Sequence, residues 1–369
     1  MRNDPTRRSF LAAGLAVPAL EALPAAPNPA ASKAPIRYRT LGKTGLNVTE
    51  LGFGCESISD PSVVEAALDR GVNFFDTSRS YQSGNAETVL GRVLGARRKE
   101  VVLTSRSYGK DRQTIAADLD ASLKALRTDY LDIWYLGNKD RPGDVSGEML
   151  EFHTLARKQG KIRFRGLSTH RLHDMLPFVT APGRFDVVMT PYNFPMGAQF
   201  DSDLKAMNDA GLGVVAMKVM AGRFWRTIRP SSRLPALKWA LRKNWIHTTA
   251  VNMRDHEALA ENMRVMAEPF TPQEEKLLGS QMGYISPLVC RMCGSCDGAC
   301  PRGLPVSDLV RYVMYAEGYG DYRMGRSCFD ALPESLRAVR CTDCSACAVR
   351  CPNGVHVRER AARAQQIFA

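Results

Sequence analysis

Eight of the ten cysteines fall into two short runs near the C-terminus, and their spacing suits metal binding. The first run occupies residues 290–301 and the second occupies residues 341–352, and each reads C-x2-C-x2-C-x3-C-P. Three closely spaced thiolates can wrap one face of an iron-sulfur cube while a more distant fourth thiolate closes the site. The predicted ligands are Cys290, Cys293, Cys296, Cys300, Cys341, Cys344, Cys347 and Cys351.

Two other kinds of cysteine site compete with this interpretation. Structural zinc usually takes two separated cysteine pairs with a longer loop between them, whereas each run here is continuous. A disulfide framework is favoured only in an oxidising compartment. Small residues inside the runs let backbone amides approach the sulfur atoms, and these are Gly294, Ser295, Ser345 and Ala346. We therefore expect iron-sulfur sites and keep zinc and disulfides as alternatives.

A second set of candidate residues lies in the segment NFFDTSRSY, residues 73–81. An apolar run ends there in the carboxylate of Asp76, and the phenol of Tyr81 follows five residues later. A carboxylate and a phenol can form part of a proton-transfer site. The alternative is that Asp76 is a turn residue that binds nearby backbone amides. The choice depends on the elements that carry the two side chains.

Between residues 36 and 270 short apolar runs alternate with longer amphipathic stretches, which is the pattern of repeated βα units. Eight candidate strands begin at Leu51, Asn73, Val101, Leu131, Ile162, Asp186, Gly213 and His247. Eight such units in about 235 residues predict an α/β TIM barrel, a fold of ~250 residues, which we place at 35–272. Active sites of these barrels lie at the carboxyl ends of the strands, so Asp76 and Tyr81 are expected at the mouth.

The N-terminal segment, residues 1–34, has the features of an export signal. The sequence TRRSFL at 6–11 resembles a twin-arginine signal, and the apolar run from Phe10 to Leu20 is too short to span a bilayer. The alternative is an ordinary basic, apolar tail. Twin-arginine export carries folded proteins, which suits clusters assembled in the cytoplasm, so we expect a periplasmic protein without a membrane span. The net charge of +12 comes without an arginine-rich run interleaved with aromatics, so no nucleic-acid partner is predicted.

Several motifs between Tyr38 and Met266 resemble the aldo-keto reductases. The motifs are RYRTLGKTGLNVTELGFGC, FDTSRSY, AETVLG, GLSTH, PYN and VNMRDHEALAENM. Members of this family are (α/β)8 barrels that bind NADP(H) across the mouth and transfer a hydride to a carbonyl group. The resemblance therefore implies an oxidoreductase with a small-molecule carbonyl substrate.

The tetrad of Asp, Tyr, Lys and His that this family uses is only partly preserved. Asp76 and Tyr81 match the first two positions, and the resemblance implies that Tyr81 donates a proton to the carbonyl oxygen. A phenol with a pKa of about 10 needs a neighbouring cation to do so at neutral pH. Arg106 stands at the lysine position, where it keeps the positive charge but carries it on a planar guanidinium instead of an ammonium. Gly137 stands in the histidine's place, which leaves His170 as a candidate relay or a structural residue of its loop.

The nucleotide positions of the family are also partly matched. The matching residues are Ser168, Thr169, Arg254, Glu261 and Asn262. The resemblance implies that the first two meet the nicotinamide amide and that the other three meet the 2'-phosphate and the adenine. Met189 replaces a glutamine expected beside the nicotinamide. For Arg254 the alternative is a solvated residue at a helix start.

The two cysteine runs together resemble a two-cluster ferredoxin over residues 290–355, in which the fourth cysteine of each run binds the other cluster. The resemblance implies one [4Fe-4S] cluster held by Cys290, Cys293, Cys296 and Cys351. It implies a second [4Fe-4S] cluster held by Cys341, Cys344, Cys347 and Cys300. The long insert LVRYVMYAEGYGDYRMG separates the runs, and we predict a small, α-rich, ferredoxin-like domain at residues 284–369.

Three functions remain open from the sequence. The first is an exported iron-sulfur oxidoreductase that reduces a carbonyl with NADP(H) or another bound redox cofactor. FMN is less favoured because no flavin signature is found. The second is an electron-transfer protein with a redox partner protein, whose barrel has lost hydride transfer because the tetrad Lys and His are replaced. The third is a binding protein in which the clusters only hold the C-terminus together. Nicotinamide gives up two electrons at once whereas each [4Fe-4S] cluster passes one, so no direct relay follows from joining them.

Overall fold

The computed structural model describes residues 35–197, 200–222 and 233–369, so the predicted twin-arginine signal lies outside the described residues. The chain enters through an antiparallel hairpin of β1 (Tyr38–Thr40) and β2 (Asn47–Thr49). Apolar side chains of this hairpin, among them Leu41 and Val48, pack inside the barrel against Phe74. The hairpin therefore plugs the end of the barrel opposite the mouth.

Eight parallel strands close into a barrel, with each strand next to its chain neighbour and the last beside the first. They are almost entirely buried because the hairpin and the interior layers cover one face and helices cover the other. The strands are β3 (Leu51–Gly54), β4 (Phe74–Asp76), β5 (Val102–Ser107), β6 (Leu131–Leu136), β7 (Ile162–Ser168), β8 (Val187–Pro191), β9 (Gly213–Met217) and β10 (Thr248–Asn252). The predicted (β/α)8 barrel is confirmed.

Helices follow the barrel strands and cover their outer faces. The starts obey ordinary capping rules: before α1, the Asp60 carboxylate accepts a hydrogen bond from the Ser62 amide and Pro61 occupies the first turn. The helices of this layer are α1 (Pro61–Asp69), α2 (Asn85–Leu94), α3 (Arg112–Leu126), α4 (Gly147–Lys158), α5 (Leu172–Val179), α6 (Asp201–Asp209), α7 (Leu234–Leu241) and α8 (His256–Met263).

Residues 272–369, all of them described, form helices and loops, which confirms the α-rich C-terminal domain. We call the part from Cys290 onward the cysteine module. Its own core includes Val313, Phe329 and Phe368. The helices are α9 (Pro272–Ile285), α10 (Val306–Val313) with a π-helical turn at Met314–Tyr319, α11 (Tyr322–Asp330), α12 (Glu334–Arg337) and α13 (Val357–Phe368). No helix among the described residues is both long and apolar enough to cross a membrane.

The cysteine module covers part of the barrel mouth. Met314, in the π-helical turn, is buried in the apolar core of the barrel. The loop after β9 approaches the same turn so closely that a Cβ atom at Gly222 would overlap the carbonyl of Gly318. The insert between the two cysteine runs thus joins the module to the barrel.

Candidate functional site

The ends of two neighbouring strands place Asp76 beside Arg106. Asp76 is the last residue of β4 and is in register with Thr104 of β5, and Arg106 lies two residues further along β5 on the same face. The guanidinium of Arg106 pairs with the Asp76 carboxylate, and both side chains are only 4% exposed. The Thr104 hydroxyl donates to Asp76 at 2.6 Å. Asp76 is therefore the buried partner of a cation.

Tyr81 lies in the turn of 3-10 helix that follows β4. The Arg106 Cζ atom is 5.7 Å from the centre of the Tyr81 ring and 5.6 Å from the centre of the Tyr135 ring. The structure thus brings together Asp76, Tyr81 and Arg106, and it adds Tyr135, which sequence reasoning missed. The only signal for Tyr135 was its place near the end of the predicted strand LDIWYL.

The electrostatics of this cluster favour a protonated phenol. Burial raises the pKa of Tyr81 well above its ordinary value, and the Arg106 charge offsets this only in part. Burial also raises the pKa of Asp76, which the same guanidinium opposes. Tyr81 is therefore protonated at neutral pH, and the guanidinium of Arg106 is placed where it would stabilise a phenolate.

Tyr108 occupies the space where an imidazole is expected. A Cβ atom at Gly137 would lie 2.6 Å from Cδ1 of the Tyr108 ring and 2.9 Å from the Ser107 carbonyl oxygen. No larger side chain fits at position 137 unless Tyr108 moves. Tyr108 is also near enough to influence the pKa of Tyr81. Sequence reasoning missed this residue, although it follows the predicted strand VVLTSRS directly.

His170 faces the cysteine module. Its ring centre lies 5.4 Å from that of Tyr315, and its Nδ1 atom is 3.7 Å from the Asp140 carboxylate. Burial, despite the neighbouring carboxylate, lowers the pKa of His170 to about 4. The imidazole is therefore neutral at pH 7 and packs between the barrel and the module.

The residues expected at the nicotinamide take part in bonds within the barrel loops. The Ser168 hydroxyl accepts from the Asn138 amide at 3.2 Å, and the Thr169 hydroxyl donates to Asp140 at 3.2 Å. Both side chains are buried. The Met189 sulfur accepts from Arg106 at 3.3 Å, so Met189 is part of the arginine's surroundings. The nicotinamide end of the predicted nucleotide site therefore differs from the pattern of the family that the motifs resemble.

The residues expected at the 2'-phosphate and adenine lie in the loop after β10 and in α8. Arg254 is 71% exposed and pairs with Asp255 at 3.1 Å, and Asp255 caps α8 by accepting from the Ala258 amide at 2.7 Å. Glu261 is partly exposed, whereas Asn262 is buried. A cation beside a helix N-terminus at the last barrel loop suits a phosphate group.

One cavity of the cysteine module is lined by thiols from both runs, namely Cys300, Cys341, Cys344 and Cys347. The first of these belongs to the first run and the other three belong to the second. Apolar residues such as Val306 and Ala361 line the rest of the wall. Four thiols around one cavity are a suitable donor set for an iron-sulfur cluster.

The remaining thiols gather nearer the barrel. Burial raises the pKa of Cys296 to about 11, with smaller contributions from Asp297 and from the Cys351 and Cys293 thiols. Cys351 therefore lies among cysteines of the other run. Cys290 packs against both the barrel core and the core of the module.

The ten cysteines, all within described residues, form no disulfide. Among the described residues, no group of three or more His, Cys, Asp or Glu side chains is arranged to hold a single metal ion.

Charged pairs connect the module to the mouth. Arg311 of α10 pairs with Asp140 of the barrel and also with Asp308 at 3.1 Å. Arg171 of the barrel pairs with Asp297 of the module, and its guanidinium donates to Ser307 at 3.2 Å. These contacts, in which the two arginines are buried, fix the module over one side of the mouth.

Comparisons with known proteins agree with this architecture. The Aldo/keto reductase family matches residues 56–233. The chain therefore contains an aldo/keto reductase domain. The 4Fe-4S dicluster domain matches residues 289–356, so an iron-sulfur domain follows the barrel.

Two curated relatives match parts of the barrel. The "Probable voltage-gated potassium channel subunit beta" of Arabidopsis thaliana is 34% identical over 125 residues, which are 28% of this chain and 38% of that protein. The "Uncharacterized oxidoreductase YqkF" of Bacillus subtilis (strain 168) is 25% identical over 171 residues, 42% of this chain and 56% of that protein. The chain thus spans roughly a third to just over half the length of these relatives.

Solved structures share the fold. The holo form of aldo-keto reductase AKR11C1 from Bacillus halodurans superposes with a TM-score of 0.57 at 22% identity, covering 67% of this chain and 96% of that chain. The apo form gives a TM-score of 0.54 at 23% identity, with the same coverage. At this identity the likeness concerns the fold alone.

Proposed function

We propose that this protein is an exported iron-sulfur oxidoreductase that reduces a carbonyl group of a small molecule at the barrel mouth. The observation that carries the proposal is the cluster of Asp76, Tyr81 and Arg106, in which a buried ion pair lies beside a protonated phenol. Negative charge develops on the carbonyl oxygen during reduction. A proton donor beside a fixed cation can neutralise that charge.

The roles of the chain's own residues follow from this geometry. The Tyr81 hydroxyl donates its proton to the carbonyl oxygen, and the Arg106 guanidinium stabilises the phenolate that is left. Asp76 holds Arg106 in place through their ion pair. Tyr108, in the imidazole's space, lies near the same phenol and helps to orient the carbonyl. When bound, NADPH or another reduced cofactor would supply the hydride.

The residues at the 2'-phosphate and adenine end suit NADP(H), whereas those at the nicotinamide end differ from the family pattern. Arg254 would hold the 2'-phosphate, with Glu261 and Asn262 toward the adenine. Ser168 and Thr169 already take part in hydrogen bonds within the barrel loops. We therefore expect dinucleotide binding to depend on the phosphate end.

Titration with NADPH tests this expectation. Anaerobically purified full-length protein is titrated while nucleotide fluorescence and thermal unfolding are followed. Arg254→Ala should weaken binding roughly tenfold or more, because a charge-assisted hydrogen bond is lost. The matched control Arg264→Ala removes another exposed arginine, one paired with Glu268. If wild-type protein shows no response, NADP(H) is not the cofactor, and the organic cofactors released from the protein should be identified.

We propose that the cysteine module holds two [4Fe-4S] clusters with crossed ligation. The thiol cavity of Cys300, Cys341, Cys344 and Cys347 and the position of Cys351 beside Cys296 support this arrangement. Chemical analysis should then find about eight iron and eight sulfide per chain. Zinc in place of iron, or no metal in protein kept from oxygen, would contradict the assignment.

The second candidate function is electron transfer by a barrel that has lost hydride chemistry, with a redox partner protein. Gly137 in place of the histidine and Met189 in place of the glutamine favour it, because each replacement removes a polar group that the resemblance implies at the mouth. Iron-thiolate charge transfer is expected to absorb at about 400 nm. Dithionite should then bleach this absorbance reversibly. Carbonyl compounds should not restore it.

Export to the periplasm is also a proposal, and it rests on TRRSFL at residues 6–11. Fusion of residues 1–34 to a reporter that works only after export of a folded protein should give an exported reporter. Replacement of Arg7 and Arg8 by lysine should prevent this export. A reporter that stays in the cytoplasm with the natural arginines would refute the proposal.

A further inference from the structure

We propose that Lys218 binds the carboxylate of an oxo acid substrate at the barrel mouth; this inference rests on the carbonyl reduction proposed above. Lys218 directly follows β9. Its ammonium lies 4.4 Å from the centre of the Tyr319 ring and 5.6 Å from the centre of the Tyr315 ring. The side chain is therefore held between the barrel mouth and the cysteine module.

The other cations that face Lys218 are neutralised. Arg106 pairs with Asp76, and Arg311 pairs with both Asp140 and Asp308. In the described part of the chain, no carboxylate lies within ion-pair distance of Lys218. Burial lowers the pKa of its ammonium, the charges of Glu56 and Asp321 oppose this, and Arg106 and Arg311 add smaller contributions in the lowering direction. The positive charge of Lys218 is thus left for a ligand.

The backbone at Lys218 supports a role for its side chain. Its φ is 55°, in the left-handed region that glycine adopts more readily than lysine. The carbonyl of Lys218 accepts from the Asn193 side chain at 3.2 Å and from the Ala221 amide at 3.0 Å, which fixes this conformation. A lysine held where glycine would be less strained indicates that the ammonium is used at the mouth.

The surroundings of Lys218 suit a carboxylate. One ammonium matches the single charge of a carboxylate, whereas a phosphate dianion usually needs further cations or a helix N-terminus. The hydroxyl of Tyr135, fully buried beside Arg106, has no hydrogen-bond partner among the described residues and can add a donor. A polar ligand at the mouth would satisfy it.

The second functional group of the ligand follows from Tyr81. Arg106 lies 5.7 Å from the centre of the Tyr81 ring and donates to the sulfur of Met189 in β8. Strand β8 pairs with β9, which Lys218 directly follows, so Tyr81 and Lys218 lie at the same end of the barrel. Both are partly exposed, so a small molecule can reach them. A carbonyl at Tyr81 and a carboxylate at Lys218 together define an oxo acid.

A structural role for Lys218 is the competing explanation. Its ammonium above the Tyr319 ring can simply help to hold the module on the barrel. This role does not distinguish an acid from its neutral amide, whereas carboxylate binding does. The two explanations therefore predict different results for paired ligands.

Calorimetry with anaerobically purified full-length protein provides the test. The ligands are pyruvate, acetoacetate and levulinate, in which the carboxylate lies progressively farther from the carbonyl, each compared with its amide. Wild-type protein should bind at least one acid more tightly than its amide. Lys218→Met should weaken that acid roughly tenfold to a hundredfold and leave the amide unchanged, because a charge-assisted hydrogen bond is lost. Lys218→Arg should retain most of the affinity.

Two controls separate binding from packing. Lys205→Met removes an exposed barrel lysine that pairs with Asp209 at 2.6 Å, and it should leave acid binding unchanged. Tyr319→Leu removes the ring beneath the ammonium but keeps the charge, so it should retain the preference for the acid. The inference would be overturned if wild-type protein bound the acid and its amide equally. It would also be overturned if Lys218→Met bound the acid as tightly as wild-type protein does. An equal loss in Tyr319→Leu and Lys218→Met would overturn it as well.

Binding and reduction are measured separately, so failure of the carboxylate site can be told from failure of the proposed reduction. If an acid binds through Lys218 but is not reduced, carbonyl reduction fails and the carboxylate site stands. If Lys218→Met binds and reduces the acid as well as wild type, the carboxylate site fails and carbonyl reduction stands.

Discussion

The barrel mouth and the cysteine module place their reactive groups in opposite ways. At the mouth, Asp76 and Arg106 are almost wholly buried and come from two paired strands, β4 and β5, with 30 residues between their positions in the sequence. In the module, each predicted ligand set takes three thiols from one short run, and all eight thiols are partly exposed. The mouth therefore depends on long-range packing, whereas the module depends on local spacing. Changes at the mouth should cost more stability than comparable changes on the module.

The largest difference is expected at Arg106. Arg106→Ala leaves Asp76 buried without a cation, which should lower the free energy of unfolding by about 3–5 kcal/mol. The control Arg326→Ala removes an exposed arginine of the module that pairs with Asp330 at 2.8 Å, and should cost less than about 1 kcal/mol. Urea unfolding measures both values. Similar losses for the two variants would show that the mouth is no more dependent on its ion pair than the surface.

A smaller effect is expected at Gly137. A methyl group there meets the Tyr108 ring, so Gly137→Ala should destabilise the protein by about 1–3 kcal/mol through overpacking. The double variant with Tyr108→Ala should recover part of that loss. The control Gly279→Ala lies on α9, where an added Cβ meets open space, and should be neutral or slightly stabilising. If Tyr108→Ala gives no recovery, the ring does not fill the space at position 137.

A further effect, spread over several pH units, concerns the contact between mouth and module. The folded protein keeps His170 neutral down to about pH 4, whereas the unfolded chain takes up a proton near pH 6.5. Unfolding therefore binds a proton in this window, and stability falls as the pH drops from 6.5 to 4 by about 1.4 kcal/mol per pH unit. His153 and His247, with pKa values lowered to about 3 and about 4, act in the same direction.

Unfolding at a series of pH values tests the contribution of His170. His170→Gln should reduce the slope between pH 6.5 and 4. The exposed His356 of the module provides the control, since His356→Gln should leave the slope unchanged. An unchanged slope in His170→Gln would mean that this imidazole is charged or solvated in the folded protein.

Local patterns were enough to predict the barrel and the cysteine runs. A strand such as LDIWYL is one continuous apolar segment, and each iron-sulfur run spans a dozen residues. Both patterns can therefore be recognised in a single sequence. The approach of Tyr108 to Gly137 was not predictable, because it depends on how neighbouring strands pack. The same holds for Lys218 and Tyr319, which are about a hundred residues apart and meet only when the module docks on the mouth.

Alcohol formation from a carbonyl compound is the most direct test of carbonyl reduction at Tyr81. Full-length protein, purified without oxygen, is supplied with NADPH or dithionite and with the oxo acids and their amides, and the product is measured by chromatography. We predict that wild-type protein forms the alcohol and that Tyr81→Phe, which keeps the ring but loses the proton, is slower by a factor of about 10²–10⁴. Equal rates in the two proteins, or no alcohol with either reductant, would contradict the account.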